Sequence, residues 1–115
     1  MIDDFLPQIR VKIKLLSAER GGRAEPIPAG EYRGILSARG QHFSFRSDIA
    51  AGGWALGDTT TLDIEFLFPQ LALPHLKERQ EFNLWESGTV GYGRVVTVLP
   101  TAKAVLSMDP AAPKK

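Results

Sequence analysis

Five short groupings of residues hold most of the chemistry this chain offers. Arg20-Gly21-Gly22-Arg23 sets two guanidinium forks around two glycines. Glycines expose backbone N–H groups and arginines add charge and fork geometry, so the tetrad suits a phosphate. It reads equally as a plain turn with its arginines in water, since Gly-Gly is common turn punctuation. Tyr32-Arg33 and Tyr92-Gly93-Arg94 each place an aromatic beside a cation. Such pairs stack bases or anchor a partner, and they also arise where rings pack on a barrel rim. Arg10, Lys12 and Lys14 have the strand spacing to track a nucleic-acid backbone. Asp63 and Glu65 alternate in the same way on another stretch. Opposite charges on neighbouring strands stabilise by about 0.2–1 kcal/mol per pair, so the basic and acidic stripes also read as partners in one sheet.

Other chemistries find no matching pattern. There is no cysteine, so disulfides, thiolate metal sites and thiol catalysis are excluded. His42 and His75 are the only histidines and sit in separate segments, whereas metal sites need three or four ligands at recognisable spacing. No metal and no cofactor is expected. Asp63 and Glu65 resemble a carboxylate dyad, but they fall on the solvent side of a strand with no nucleophile at fixed spacing. A Gly-x-Ser-x-Gly elbow and a Gly-x-x-x-x-Gly-Lys-Ser/Thr loop are both missing from the sequence, so neither an enzyme nor nucleotide binding is expected.

The elements that must position these residues are strands. At 115 residues the chain is one domain, with 43% hydrophobic residues and a net charge of +1. Eight of the 14 Lys/Arg but three of the 13 Asp/Glu lie between Arg10 and Arg46. The start, Met1-Ile-Asp-Asp, is acidic and unlike a signal peptide, and no run approaches the ~20 apolar residues that span a bilayer. A soluble, cytoplasmic protein without membrane contact is expected.

Alternation predicts strands at Ile9–Leu15, Tyr32–Ser37, Gln41–Ile49 and Thr59–Phe68, with Leu62, Ile64, Phe66 and Phe68 on one face. Two further strands flank the turn Glu86-Ser87-Gly88-Thr89, giving a hairpin over Glu81–Leu99. Residues 50–58 read as a loop docked by Trp54, and 70–78 as a loop or short helical turn. Trp85 points outward from its strand and reads as a protein-contact anchor or as capped by that loop. Residues 101–107 hold helix formers in a run too short to stand alone. The expected organisation is an N-terminal extension (1–8), a barrel (9–99) and a tail (100–115). Six antiparallel strands in one small all-β domain close into a barrel, which also removes exposed edges. Its core is expected to hold Ile9, Val11, Ile13, Leu15, Phe43, Phe45, Leu62, Ile64, Phe66, Phe82, Leu84, Val96 and Val98.

The order of motifs resembles a known family. A strand ending Leu-Leu-Ser is followed by Glu19-Arg-Gly-Gly-Arg23, Pro26 and Gly30-Glu-Tyr-Arg33. Gly57-Asp58 then opens a long strand, and Phe82, Glu86 and Val90-Gly-Tyr-Gly-Arg-Val95 follow. This is similar to the C-terminal β-barrel domain of translation elongation factor Tu, over roughly residues 9–99. The family's proline after Tyr-Arg is Gly34 here, and its Glu-Gly-Gly-Arg final turn is Glu-Ser-Gly-Thr. The resemblance implies a six-stranded barrel and contacts to aminoacyl-tRNA or protein partners, but no GTPase activity, as the loop for it is missing. The expected function is a non-catalytic, stand-alone binding module for a protein or ribonucleoprotein. The alternative is an RNA backbone binder using the basic face, and a small hydrolase is the remote third. The expected contact rim is Arg20, Gly21, Gly22, Arg23, Tyr32, Arg33, Tyr92 and Arg94. Arg23 and Arg94 serve there as partner contacts that the fold does without, and Gly91 and Gly93 admit a partner's backbone.

Overall fold

Alternation at Ile9–Leu15 (β1) buries all four odd-numbered residues and leaves Arg10, Lys12 and Lys14 outside. The same period of two organises Gly30–Ala38 (β2), Gln41–Ile49 (β3), Thr59–Phe66 (β4), Glu81–Trp85 (β5) and Thr89–Val98 (β6). In the computed structural model, which describes residues 2–107, all neighbouring strands pair antiparallel. They close in the order β1-β4-β3-β2-β5-β6, with β6 returning to β1. The expected six-stranded antiparallel barrel is the fold. Local chemistry sets the turns: Arg39 and Gly40, φ 53° and 78°, join β2 to β3, and Ser87 and Gly88, φ 66° and 152°, join β5 to β6. Two central residues of positive φ match the right-handed twist of a hairpin.

Inward side chains from every strand fill the barrel, with Ile9, Ile13, Leu36, Ile64 and Leu84 fully buried. Trp54 docks its loop as expected: it is 3% exposed, bridges Ile27, and its Nε1 donates to the Asp58 carbonyl at 3.0 Å. The connection after β4 forms a short helix, Pro69–Ala72 (α1), then a 3-10 turn at Leu73–His75, and it buries Ala72, Leu73 and Leu76. Residues 100–107, assigned to the tail from sequence, form a helix, Pro100–Ser107 (α2). Packing supplies what its length does not: Ala102 is fully buried and the Thr101 hydroxyl donates to the Pro7 carbonyl. The rest of the expected tail lies outside the described residues.

One core assignment and one strand end need correction. Val96 is 48% exposed and Val95, at 1%, takes the inward position. The cause is a β-bulge: Arg10 pairs with Thr97 while Val11 pairs with Val95, which leaves Val96 unopposed on the outer wall. Beyond the bulge the parity is restored, and Val98 packs against the core. The expected strand runs to Phe68, on one face with Phe66, but β4 ends at Phe66, and Leu67 and Phe68 are 65% and 60% exposed. The proline at 69 begins α1 and turns the chain off the sheet before Phe68 can continue the alternation.

Candidate functional site

Strand register assembles a basic groove on the outer wall. Lys14 lies opposite Tyr92 and Lys12 opposite Arg94 across β1 and β6. Tyr92 in turn faces Asn83, and Arg94 faces Glu81, across β5 and β6. Directly opposed residues share a face, so these side chains form two parallel rows. Asn83 continues to Ser37 on β2, and Lys14 to Thr59 on β4. The rows line a shallow groove of about 790 Å³, flanked by Arg39 and Arg79. Among the described residues, its charged lining is Lys12, Lys14, Arg39, Arg79 and Arg94 against the single acid Glu81. Glu81 lies 3.2 Å from Arg94, with both side chains more than 60% exposed. An exposed pair of this kind stabilises little. The Tyr92 ring stands at the centre, 55% exposed.

The acidic stripe does not cancel this groove. Asp63 binds Arg10 in a two-point contact, at 2.8 and 3.2 Å. That contact, through its hydrogen bond first and its charge second, raises the Arg10 guanidinium above its ordinary pKa. Glu65 holds Arg46, its register partner on β3. Arg46 also reaches the Asp3 and Asp4 carbonyls at 3.2 and 3.1 Å. Its pKa is raised, chiefly by the Glu65 hydrogen bond. Lys12 and Lys14 face Thr61 and Thr59 on β4 instead. The basic stripe therefore divides: Arg10 is a sheet contact, and the two lysines belong to the groove. Asp63 and Glu65 are each engaged by an arginine.

A second polar centre lies at the β5–β6 turn. One oxygen of Glu86 accepts from both the Tyr32 hydroxyl and Arg23 Nη1, the latter at 2.6 Å. Arg23 Nε also donates to the Glu25 carbonyl at 2.9 Å. Burial, then the hydrogen bond and charge of Glu86, push the Tyr32 phenol above its ordinary 10.0. The triad ties the loop after β1 to β2 and to the hairpin, so Arg23 supports the fold as well as offering charge.

The expected rim residues do not line one concavity. Tyr92 and Arg94 line the groove; Arg20, Arg23, Tyr32 and Arg33 do not. Arg20 ends an exposed 3-10 turn, Gly21 caps it at φ 84°, and Gly22 is there because a Cβ would stand 2.3 Å from the Leu16 carbonyl oxygen. Arg33 pairs with Glu31 at 2.5 Å on the outside of β2. The space at Gly91 and Gly93 belongs to the barrel, not to a partner. A Cβ at Gly93 would lie 2.6 Å from the Phe82 ring and 2.7 Å from the Lys12 carbonyl oxygen; at Gly91 it would meet the Lys14 carbonyl oxygen at 2.8 Å.

Sequence reasoning missed Arg39, Arg79 and Asn83 as groove residues. Asn83 was visible by parity, since it lies between the inward Phe82 and Leu84. Arg39 and Arg79 sit in turns whose meeting depends on closure of the barrel. His42 and His75 do not converge: His42 packs on Trp85 at 5.1 Å between ring centres, and His75 stacks on Phe43 at 5.5 Å. Among the described residues, no cluster of three or more metal-ligating side chains occurs, and no helix is long and apolar enough to cross a membrane. Against models of known protein families and against curated proteins, the chain has no match.

Proposed function

We propose that this barrel is a non-catalytic binding module whose groove holds the phosphate backbone of RNA, free or within a ribonucleoprotein. The carrying observation is five cations around one concavity with one exposed acid among them. Phosphate contacts from lysine and arginine supply most sequence-independent affinity for nucleic acid. The likeness of the turn and strand motifs to the elongation factor Tu barrel supports a translation-related setting. A charge-reversed variant tests it. Lys12→Glu/Lys14→Glu should abolish binding of a labelled RNA at low salt, whereas Arg10→Ala, on the same strand but outside the groove, should bind like the parent. Equal binding by all three proteins would refute the groove.

A protein contact is the second reading, and a different wall favours it. Leu67, Phe68 and Leu71 are each at least 60% exposed. Leu67 also lines a second cleft with Ile35 and Trp85, across β5, β2, β3 and β4. Trp85, half-buried beside His42, lines the same cleft. A protein captured by the parent, retained after nuclease and lost with Leu67→Asp/Phe68→Asp, is the outcome this reading requires.

A further inference from the structure

The groove is not uniformly charged, and its uneven composition narrows the ligand. One row is Glu81–Arg94–Lys12, and the parallel row is Ser37–Asn83–Tyr92–Lys14–Thr59. The second row carries one charge, two hydroxyls, an amide and an exposed phenol ring. Among the described residues, the Tyr92 ring makes no aromatic contact and the Asn83 amide has no hydrogen-bond partner. Both side chains point out of the barrel into the groove from adjacent strands, directly opposite one another. A duplex offers its phosphates outward and keeps its base faces stacked within, so it has no use for a ring and a free amide at the centre of its footprint. A single strand offers phosphates, an open base face and the base's hydrogen-bonding edge together.

We infer that the groove is built for single-stranded nucleic acid, with one unstacked base lying on Tyr92, its edge toward Asn83, and its flanking phosphates on Lys12, Lys14 and Arg94. The inference rests on the nucleic-acid reading of the groove and adds a base-recognition function to it. Tyr92 supplies stacking that any base satisfies. Asn83, with two donors and one acceptor oxygen, supplies the preference among bases. The glycines at 91 and 93 serve this arrangement indirectly. Inward-facing and without side chains, they let β6 lie close over Phe82 and β1, which fixes the backbone from which Tyr92 projects.

The test uses fluorescence anisotropy with the whole chain and three labelled probes of equal length: a single-stranded RNA, its duplex, and a single strand with abasic sites that keeps every phosphate. Tyr92→Ala should weaken single-strand binding about tenfold or more, consistent with the loss of one stacked base. Tyr92→Phe should retain it, because the ring rather than the hydroxyl acts. On the abasic strand the parent should bind as weakly as Tyr92→Ala binds the intact one, and Tyr92→Ala should lose nothing further. Asn83→Ala should flatten the differences among homopolymers while leaving the salt dependence unchanged. If Tyr92→Ala binds all three probes like the parent, or if duplex and abasic strand bind as tightly as the intact single strand, base recognition is overturned while the phosphate groove stands. If no probe binds even at low salt, the nucleic-acid reading itself falls, and this inference with it.

Discussion

The Tyr32–Glu86–Arg23 contact decides what a substitution at each of its members does. Glu86 is a shielded carboxylate whose one oxygen serves two donors, and Arg23 is about one-quarter exposed. Removing Arg23 leaves that carboxylate with a single partner, and losing a hydrogen bond to a charged group costs roughly 1.5–3 kcal/mol. Arg23→Ala should therefore lower the melting temperature, contrary to its expected role as a contact the fold does without. Arg94→Ala, whose only ionic partner among the described residues is the exposed Glu81, should melt within a degree or so of the parent. The phenol adds a pH signature. Because folding raises the Tyr32 pKa above its ordinary 10.0, the folded state retains the proton longer than the unfolded chain does. The stability linked to this group is thus fully present below pH 10.0 and is lost as pH rises above it. Melts between roughly pH 9 and 11.5 should show a steeper alkaline decline in the parent than in Tyr32→Phe. Identical slopes would remove the linkage.

At the scale of the element, β6 is the strand that most shapes the groove. Its bulge turns Val95 inward and Val96 outward, so two adjacent valines should respond differently to the same change. Val95→Ala should cost about 1–3 kcal/mol, and Val96→Ala should stay within about 0.5 kcal/mol, in denaturant titration. Gly93→Ala drives a Cβ into Phe82 and the β1 backbone and should cost about 1–3 kcal/mol as an overpacked seam. The strands themselves were legible because apolar residues alternate so regularly in β1, β3, β4 and β5 that one face had to be buried. The bulge was not, because nothing in Val-Val-Thr-Val marks which valine is extra; the pairing of Arg10 with Thr97 fixes it. The helix at 100–107 was illegible for a related reason: its stability comes from burying Ala102 and Val105 against the barrel, not from its own length. The groove was legible in part. Tyr92, Arg94, Lys12 and Lys14 could be named from residue type and spacing, but their union with Asn83, Arg39 and Arg79 is a product of strand order.

For the whole molecule, closure of the barrel separates two chemistries that are interleaved along the chain. Strands β5, β6 and β1 carry the basic wall, while the cleft with Trp85 and Leu67 is centred on β2 and β3, on the far side of the ring. A net charge of +1 hides this polarity, because Asp63 and Glu65 spend their charge on Arg10 and Arg46 away from the groove. Binding of nucleic-acid phosphates in the basic groove would show in the salt dependence of RNA affinity. With up to five cations engaged, log K should fall linearly against log salt with a slope of roughly −2 to −4. That corresponds to a loss of roughly 15- to 250-fold between about 50 and 200 mM, and Lys12→Ala should reduce the slope by about 1. An affinity unchanged across that range, or a slope that Lys12→Ala leaves intact, would rule out phosphate binding in this groove.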